Sequence, residues 1–299
     1  MPRTVSATAA SSVTCRLRST WCAILLNHLG RWADEAPVQA VLRESLTNDN
    51  PRVRSAAIRR LAPVAGAQRD LIALRDDPVR LVRMDAAWRT INPLERDQAH
   101  REELMRYMDY ISDQPAGAAR QAQLAVVEHR LDDAESWILK TAAWDPTSPA
   151  TQHMLGRIMT MRLSYEEAEN AFLKASELES QSAEHPYALA LLYAEIERPH
   201  RALAALEKTV LIDPSFGRAW YNLGLAHAQL NALENAVMAL RRAEALMAGS
   251  PDAPYALATV LLRQRDVNAA REAALRARAI NPQHQPSRQL LGSLVKPTR

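Results

Sequence analysis

Residues 217–250 read GRAWYNLGLAHAQLNALENAVMALRRAEALMAGS. Trp220, Leu223 and Gly224 fall early in the stretch, and Ala236, Leu240 and Ala243 fall late. That is the pattern of one helix–turn–helix unit. The unit recurs: a 34-residue period runs through residues 115–284 without insertion, as 115–148, 149–182, 183–216, 217–250 and 251–284. Position 20 is alanine each time, at Ala134, Ala168, Ala202, Ala236 and Ala270. A side chain kept small at one point of every unit is what two helices require where they cross most closely, because anything larger overpacks the crossing.

Other positions repeat with it. Position 7 is Leu155, Leu189, Leu223 and Leu257, with Gln121 in the first unit; position 8 is small throughout, at Ala122, Gly156, Ala190, Gly224 and Ala258. Pro146, Pro214 and Pro282 close three of the second helices, since proline cannot continue a helix. The length and these residues closely resemble tetratricopeptide repeats. The first unit is the least typical, as end units often are. The resemblance implies an all-α fold, a right-handed α-solenoid of helix–turn–helix repeats, whose task is to hold other molecules on its inner face.

The flanks read differently. Residues 36–93 contain two copies of a shorter repeat, NDNPRVRSAAIRRLA at 48–62 and DDPVRLVRMDAAWRTI at 76–91. Each opens on a capping residue and a proline suited to the first turn of a helix. A Val-Arg pair and an alanine-rich face follow, and the pattern resembles HEAT-type repeats, so a HEAT-like section precedes the tetratricopeptide superhelix. Residues 94–114 predict a linking helix with Leu104, Tyr107, Met108 and Ile111 on one face. Residues 285–299 predict a short capping helix and a tail. Residues 1–35 are basic and read as a disordered or targeting segment.

A wider resemblance lies in the order of parts. DDPVRLVRMDAAW, then DYISDQPAGAARQAQL, then the 34-residue repeats look like the C-terminal part of a bacterial multihaem cytochrome c family. Covalent haem attachment requires C-x-x-C-H, and the chain has no such motif. The electron-transfer chemistry therefore does not carry over. What the resemblance leaves is a second reading, a haem-less accessory or truncated relative docking in a redox-protein complex.

Composition narrows the function classes. The 299 residues are 47% hydrophobic and 24% charged, with two Phe and eight Gly, a profile of Ala/Leu-rich helices. The net charge is +3, but Arg3, Arg16, Arg18 and Arg31 stand in residues 1–31 without an acid. The remainder is close to neutral, which argues against a nucleic-acid surface. No apolar run approaches the ~20 residues of a membrane span. Cys15 and Cys22 are the only cysteines and match neither C-x-x-C nor a zinc pattern. The compartment, cytoplasmic or periplasmic, stays open.

No catalytic motif or ligand pair is present among the eight histidines or the paired acids. The expectation is no enzyme, no cofactor and no metal, with a protein or peptide as partner. In the repeat family, positions 2, 5, 9, 12 and 13 line the concave groove. Position 5 is His153, Tyr187, Tyr221 and Tyr255, which predicts a tyrosine ladder; tyrosine offers broad contact at low entropic cost. Around it stand Arg157, Leu191, Glu195, Arg218, Leu225, Gln229, Thr259 and Arg263. The lysine–asparagine clamp for carboxylate tails is absent: position 5 is never Lys and position 9 never Asn.

Overall fold

A computed structural model describes residues 19–29, 33, 35–62, 64, 66–90 and 98–295. Among the described residues there are seventeen α-helices and no strand. The protein is an α-solenoid that divides into two units, residues 1–117 and 118–299. No described helix is long and apolar enough to cross a membrane.

The first unit holds α1 (Ser19–Leu29), α2 (Ala36–Ser45), α3 (Pro51–Leu61), α4 (Gln68–Ile72), a 3-10 turn (Ala73–Asp76), α5 (Arg80–Arg89) and α6 (Gln98–Tyr110). Leu42, Ile58, Leu61, Leu71 and Val82 meet in its core together with Cys22 and Leu26 of α1. Part of the basic N-terminal segment is thus a folded helix, because Cys22 and Leu26 share a face that α3 covers. Residues 1–18 lie outside the described residues. On α6, Leu104 and Met108 are fully buried, while Tyr107 is half-buried under the Arg80 guanidinium, 5.4 Å from the ring.

One set of hydrogen bonds occurs twice in this unit, 29 residues apart. The Asn48 side chain accepts from Asn50 N–H at 2.9 Å, and Asp77 accepts from Val79 N–H at 2.8 Å. Arg54 donates to the carbonyls of Asn48 and Asp49, and Arg83 donates to those of Asp77 and Pro78. Each arginine also forks onto a carboxylate further along: Arg54 onto Asp77, both bonds 2.8 Å, and Arg83 onto Glu103 at 2.7 and 3.1 Å. A planar guanidinium can satisfy loop carbonyls and a carboxylate at once, which a lysine cannot. Asp77 therefore braces the turn that opens one copy and is the counter-ion of the other.

The second unit stacks helices at a constant offset. They are α7 (Pro115–Val127), α8 (Leu131–Trp144), α9 (Pro149–Met161), α10 (Tyr165–Leu178), α11 (Glu184–Glu195), α12 (Pro199–Ile212), α13 (Gly217–Gln229), α14 (Leu233–Leu246), α15 (Asp252–Arg263), α16 (Val267–Ile280) and α17 (Gln285–Val295). The five position-20 alanines are all buried. Gly156 and Gly224 show why position 8 is small. A Cβ on Gly156 would stand 2.7 Å from the Phe172 ring, and one on Gly224 would stand 2.5 Å from Leu240 Cγ.

Each helix pair of this unit is joined by one residue in the left-handed region: His129, Leu163, Glu197, Asn231 and Arg265, with φ between 54° and 67°. They recur every 34 residues, and each closes a six-to-one hydrogen bond over the preceding helix end, as Ser164 N–H does to the Met159 carbonyl at 2.9 Å. The turn requires φ > 0, yet none of the five is glycine.

Candidate binding groove

A concavity of the second unit has a volume of about 490 Å³ and runs across α9, α11 and the start of α13. Ser148 caps α9 by accepting from Thr151 N–H at 3.3 Å, and Pro149 presets its first turn. His153, Arg157 and Met161 then follow at four-residue spacing and share one helical face. Tyr187, Leu191 and Glu195 do the same on α11. Arg218, in the first turn of α13, closes the far side. Arg157 and Arg218 are exposed and form no salt bridge with a described residue.

Aromatic rings floor the groove. Tyr187 packs on Phe216 with centroids 4.7 Å apart, and His153 stands edge-on to Phe172 at 5.3 Å. The chain's two phenylalanines both line this groove. His153 Nδ1 lies 3.0 Å from His185 Nδ1, and His185 Nε2 lies 3.1 Å from the Glu179 carboxylate. Burial, then the neighbouring His185 and Arg157, push His153 down to about 4, so its ring is neutral at neutral pH.

Six of the twelve residues expected from the repeat positions line this groove: His153, Arg157, Tyr187, Leu191, Glu195 and Arg218. The other six do not. Leu225 and Gln229 are exposed on α13. Thr259 Oγ1 donates to the Ala256 carbonyl of its own helix at 2.7 Å. Arg263 reaches back to the Ala228 carbonyl at 2.7 Å and the Asn231 side chain at 3.1 Å, which ties it to the preceding helix pair.

The tyrosines serve packing as much as surface. Tyr187 accepts from Asn222 Nδ2 at 3.0 Å and packs against the cluster of Leu206 and Leu223. Tyr221 packs on the cluster of Leu240, Leu257 and Leu261; burial pushes its phenol up, with Asp252 and Tyr255 adding to the shift. Tyr255 meets the His284 ring edge-on at 5.4 Å. Three lining residues that the reading did not single out, Thr160, Met161 and Glu184, stand at positions 12, 13 and 2, so the same rule reaches them. Phe172 and Phe216, at positions 24 and 34, lie outside that rule.

Residues 217–246 match a family model described as tetratricopeptide repeat. The array has a tetratricopeptide-repeat fold. Solved structures agree on the fold. YrrB, described as a TPR protein with an unusual peptide-binding site, is 19% identical, covers 62% of this chain and 95% of its own, and has a TM-score of 0.52. MamA from Desulfovibrio magneticus RS-1 is 20% identical, with 57% and 97% covered and a TM-score of 0.52. The APC/C hetero-tetramer Cut9–Hcn1 is 17% identical, covers 97% of this chain and 58% of its own, and has a TM-score of 0.61. No curated protein matches the chain.

Proposed function

We propose that the chain is a non-enzymatic scaffold that holds a peptide or protein segment in the groove between α9 and α13. The observation that carries the reading is the groove itself: apolar Leu191, Met161 and Ala188 beside two exposed arginines without acidic partners. An apolar floor with a few placed polar groups is the usual make-up of a binding cleft. The tetratricopeptide fold fits a protein-binding role. The reading divides residues 115–284 into five repeats, and the paired arginine bonds of Arg54 and Arg83 support a HEAT-like section before them. No observation favours the haem-linked alternative, and a single reading is proposed.

A photo-crosslinking side chain at Leu191 tests it, with one at Met238 as the comparison; Met238 is 65% exposed on α14 and does not line the groove. Cross-linking of a cellular protein at Leu191, absent at Met238 and abolished by Arg157→Glu with Arg218→Glu, is the expected result. Equal labelling at both positions would sink the reading. Truncating the three tyrosines together is a poorer test, since Tyr187 and Tyr221 are packing groups.

A further inference from the structure

We infer that Glu179 and His185 are positioning residues that fix the hydrogen-bonding sense of His153, so that the groove selects a partner segment presenting an N–H or O–H donor at that point. Only the partner half of this inference rests on the groove reading above.

An ionised carboxylate accepts only, so His185 Nε2, 3.1 Å from Glu179, carries a hydrogen. In a neutral imidazole the other nitrogen is then a lone pair. His153 Nδ1 lies 3.0 Å from that lone pair and donates to it. His153 Nε2 is left as the acceptor. It has no hydrogen-bond partner among the described residues and is not a buried orphan, so it opens to the groove that His153 lines. Arg157 and Arg218 in the same groove are donors only. His153 Nε2 is thus an acceptor of fixed sense in a groove that also carries the cationic donors Arg157 and Arg218 and the carboxylates of Glu184 and Glu195. A carboxylate set against His153 would face a lone pair, whereas an amide or hydroxyl donor would complete the relay.

The charged groups around the pair are Glu179 after α10, Arg157 on α9, and Glu184, Glu195 and Arg218 lining the groove. Burial, then His185 and Arg157, oppose a proton on His153.

The test for the relay is the ¹⁵N shifts of the His153 imidazole in the full chain at neutral pH, with no ligand. The expected result is the Nδ1–H tautomer in the wild type and a shift toward Nε2–H in His185→Phe. Glu179 is 55% exposed at its side chain, so Glu179→Leu keeps the fold and mixes the tautomers if His185→Phe unfolds. An Nε2–H tautomer in the wild type, or no change in either folded variant, overturns the relay.

For the partner half, a peptide selected from a random library on the immobilised full chain is scanned by backbone N-methylation and alanine. One donor should matter about tenfold to wild type and little to His153→Phe, the worth of one hydrogen bond. The absence of such a donor overturns the partner half. Failure to select any peptide that Leu191→Asp disrupts sinks the groove reading and the partner half together, and leaves the ¹⁵N shifts to decide the relay.

Discussion

Asn222 of α13 donates its amide to the phenol oxygen of Tyr187 on α11, 3.0 Å away. The bond spans 35 residues and joins one helix pair to the next. Tyr187→Phe keeps the ring on Phe216 and removes only the acceptor. The expected cost is about 1 kcal/mol, that of one part-buried hydrogen bond, read as a lower midpoint in urea. No loss would mean that water replaces the phenol there.

Gly156 and Phe172 share a space that admits one of them enlarged. Gly156→Ala should destabilise by roughly 1–2 kcal/mol, the overpacking cost less the helix propensity that alanine returns. Phe172→Leu made alongside it copies the pair Ala190 and Leu206 two helices on. Thermal melts of the four species should show the double variant recovering much of the loss. Additive losses would place the strain elsewhere.

Leu163 has a φ of 63° and is 65% exposed. Its conformation costs a branched residue energy that glycine does not pay. Leu163→Gly should therefore raise stability by about 1 kcal/mol, net of glycine's greater freedom when unfolded. A fall in the denaturation midpoint would contradict the left-handed assignment.

His153, at about 4 when folded against an ordinary 6.5, sets a pH dependence of known sign. Below 6.5 the unfolded chain binds a proton that the folded chain refuses. Folding stability therefore declines from pH 6.5 toward pH 4 and levels off below it. With allowance for the partial exposure of the ring, the loss is about 1–2 kcal/mol. His153→Asn, whose amide can donate to His185 without titrating, should flatten the decline in denaturation curves taken across that range. An unchanged slope would remove His153 as its source.

In the first unit, the Asp77 carboxylate holds Arg54 and accepts from Val79 N–H in the turn before α5, while its carbonyl accepts from Arg83. Arg54 and Asp77 are both nearly buried. Asp77→Ala leaves the Arg54 charge without a counter-ion, a change that typically costs 3–5 kcal/mol. Calorimetry should register the loss in the first unit's transition. A loss below about 1 kcal/mol would show that water compensates the arginine.

The stack was legible in the sequence because its demands fall on the same residue each time. Ala134, Ala168, Ala202, Ala236 and Ala270 announce a helix crossing by identity alone. The left-handed turns were not legible. His129, Leu163, Glu197, Asn231 and Arg265 share a backbone state and no side-chain chemistry. Half of the groove followed from the position rule, since that rule encodes which face of the first helix is concave. It placed Arg263 in the groove, whereas that long side chain leaves its own helix for a neighbour's carbonyl. It also missed the His185–Glu179 arm, because residues at positions 3 and 31 of successive repeats meet only once the turn between them is built. The Val-Arg pairs at 53–54 and 82–83 were visible, but the sequence did not reveal that the acid opening one copy neutralises the arginine of the other.

Among the described residues, side-chain bonds between helix pairs of the second unit join adjacent pairs, as do Arg162 to Asp132, His153 to His185, Tyr165 to Glu195, Arg201 to Glu169, Asn222 to Tyr187, Arg263 to Ala228 and Arg276 to Glu244. Cooperativity in such an array is handed from neighbour to neighbour, so its melting is a front that travels in from an end. A local opening of the helices that follow α13 therefore leaves the helices around His153 folded, and the groove does not depend on the whole stack being closed at once.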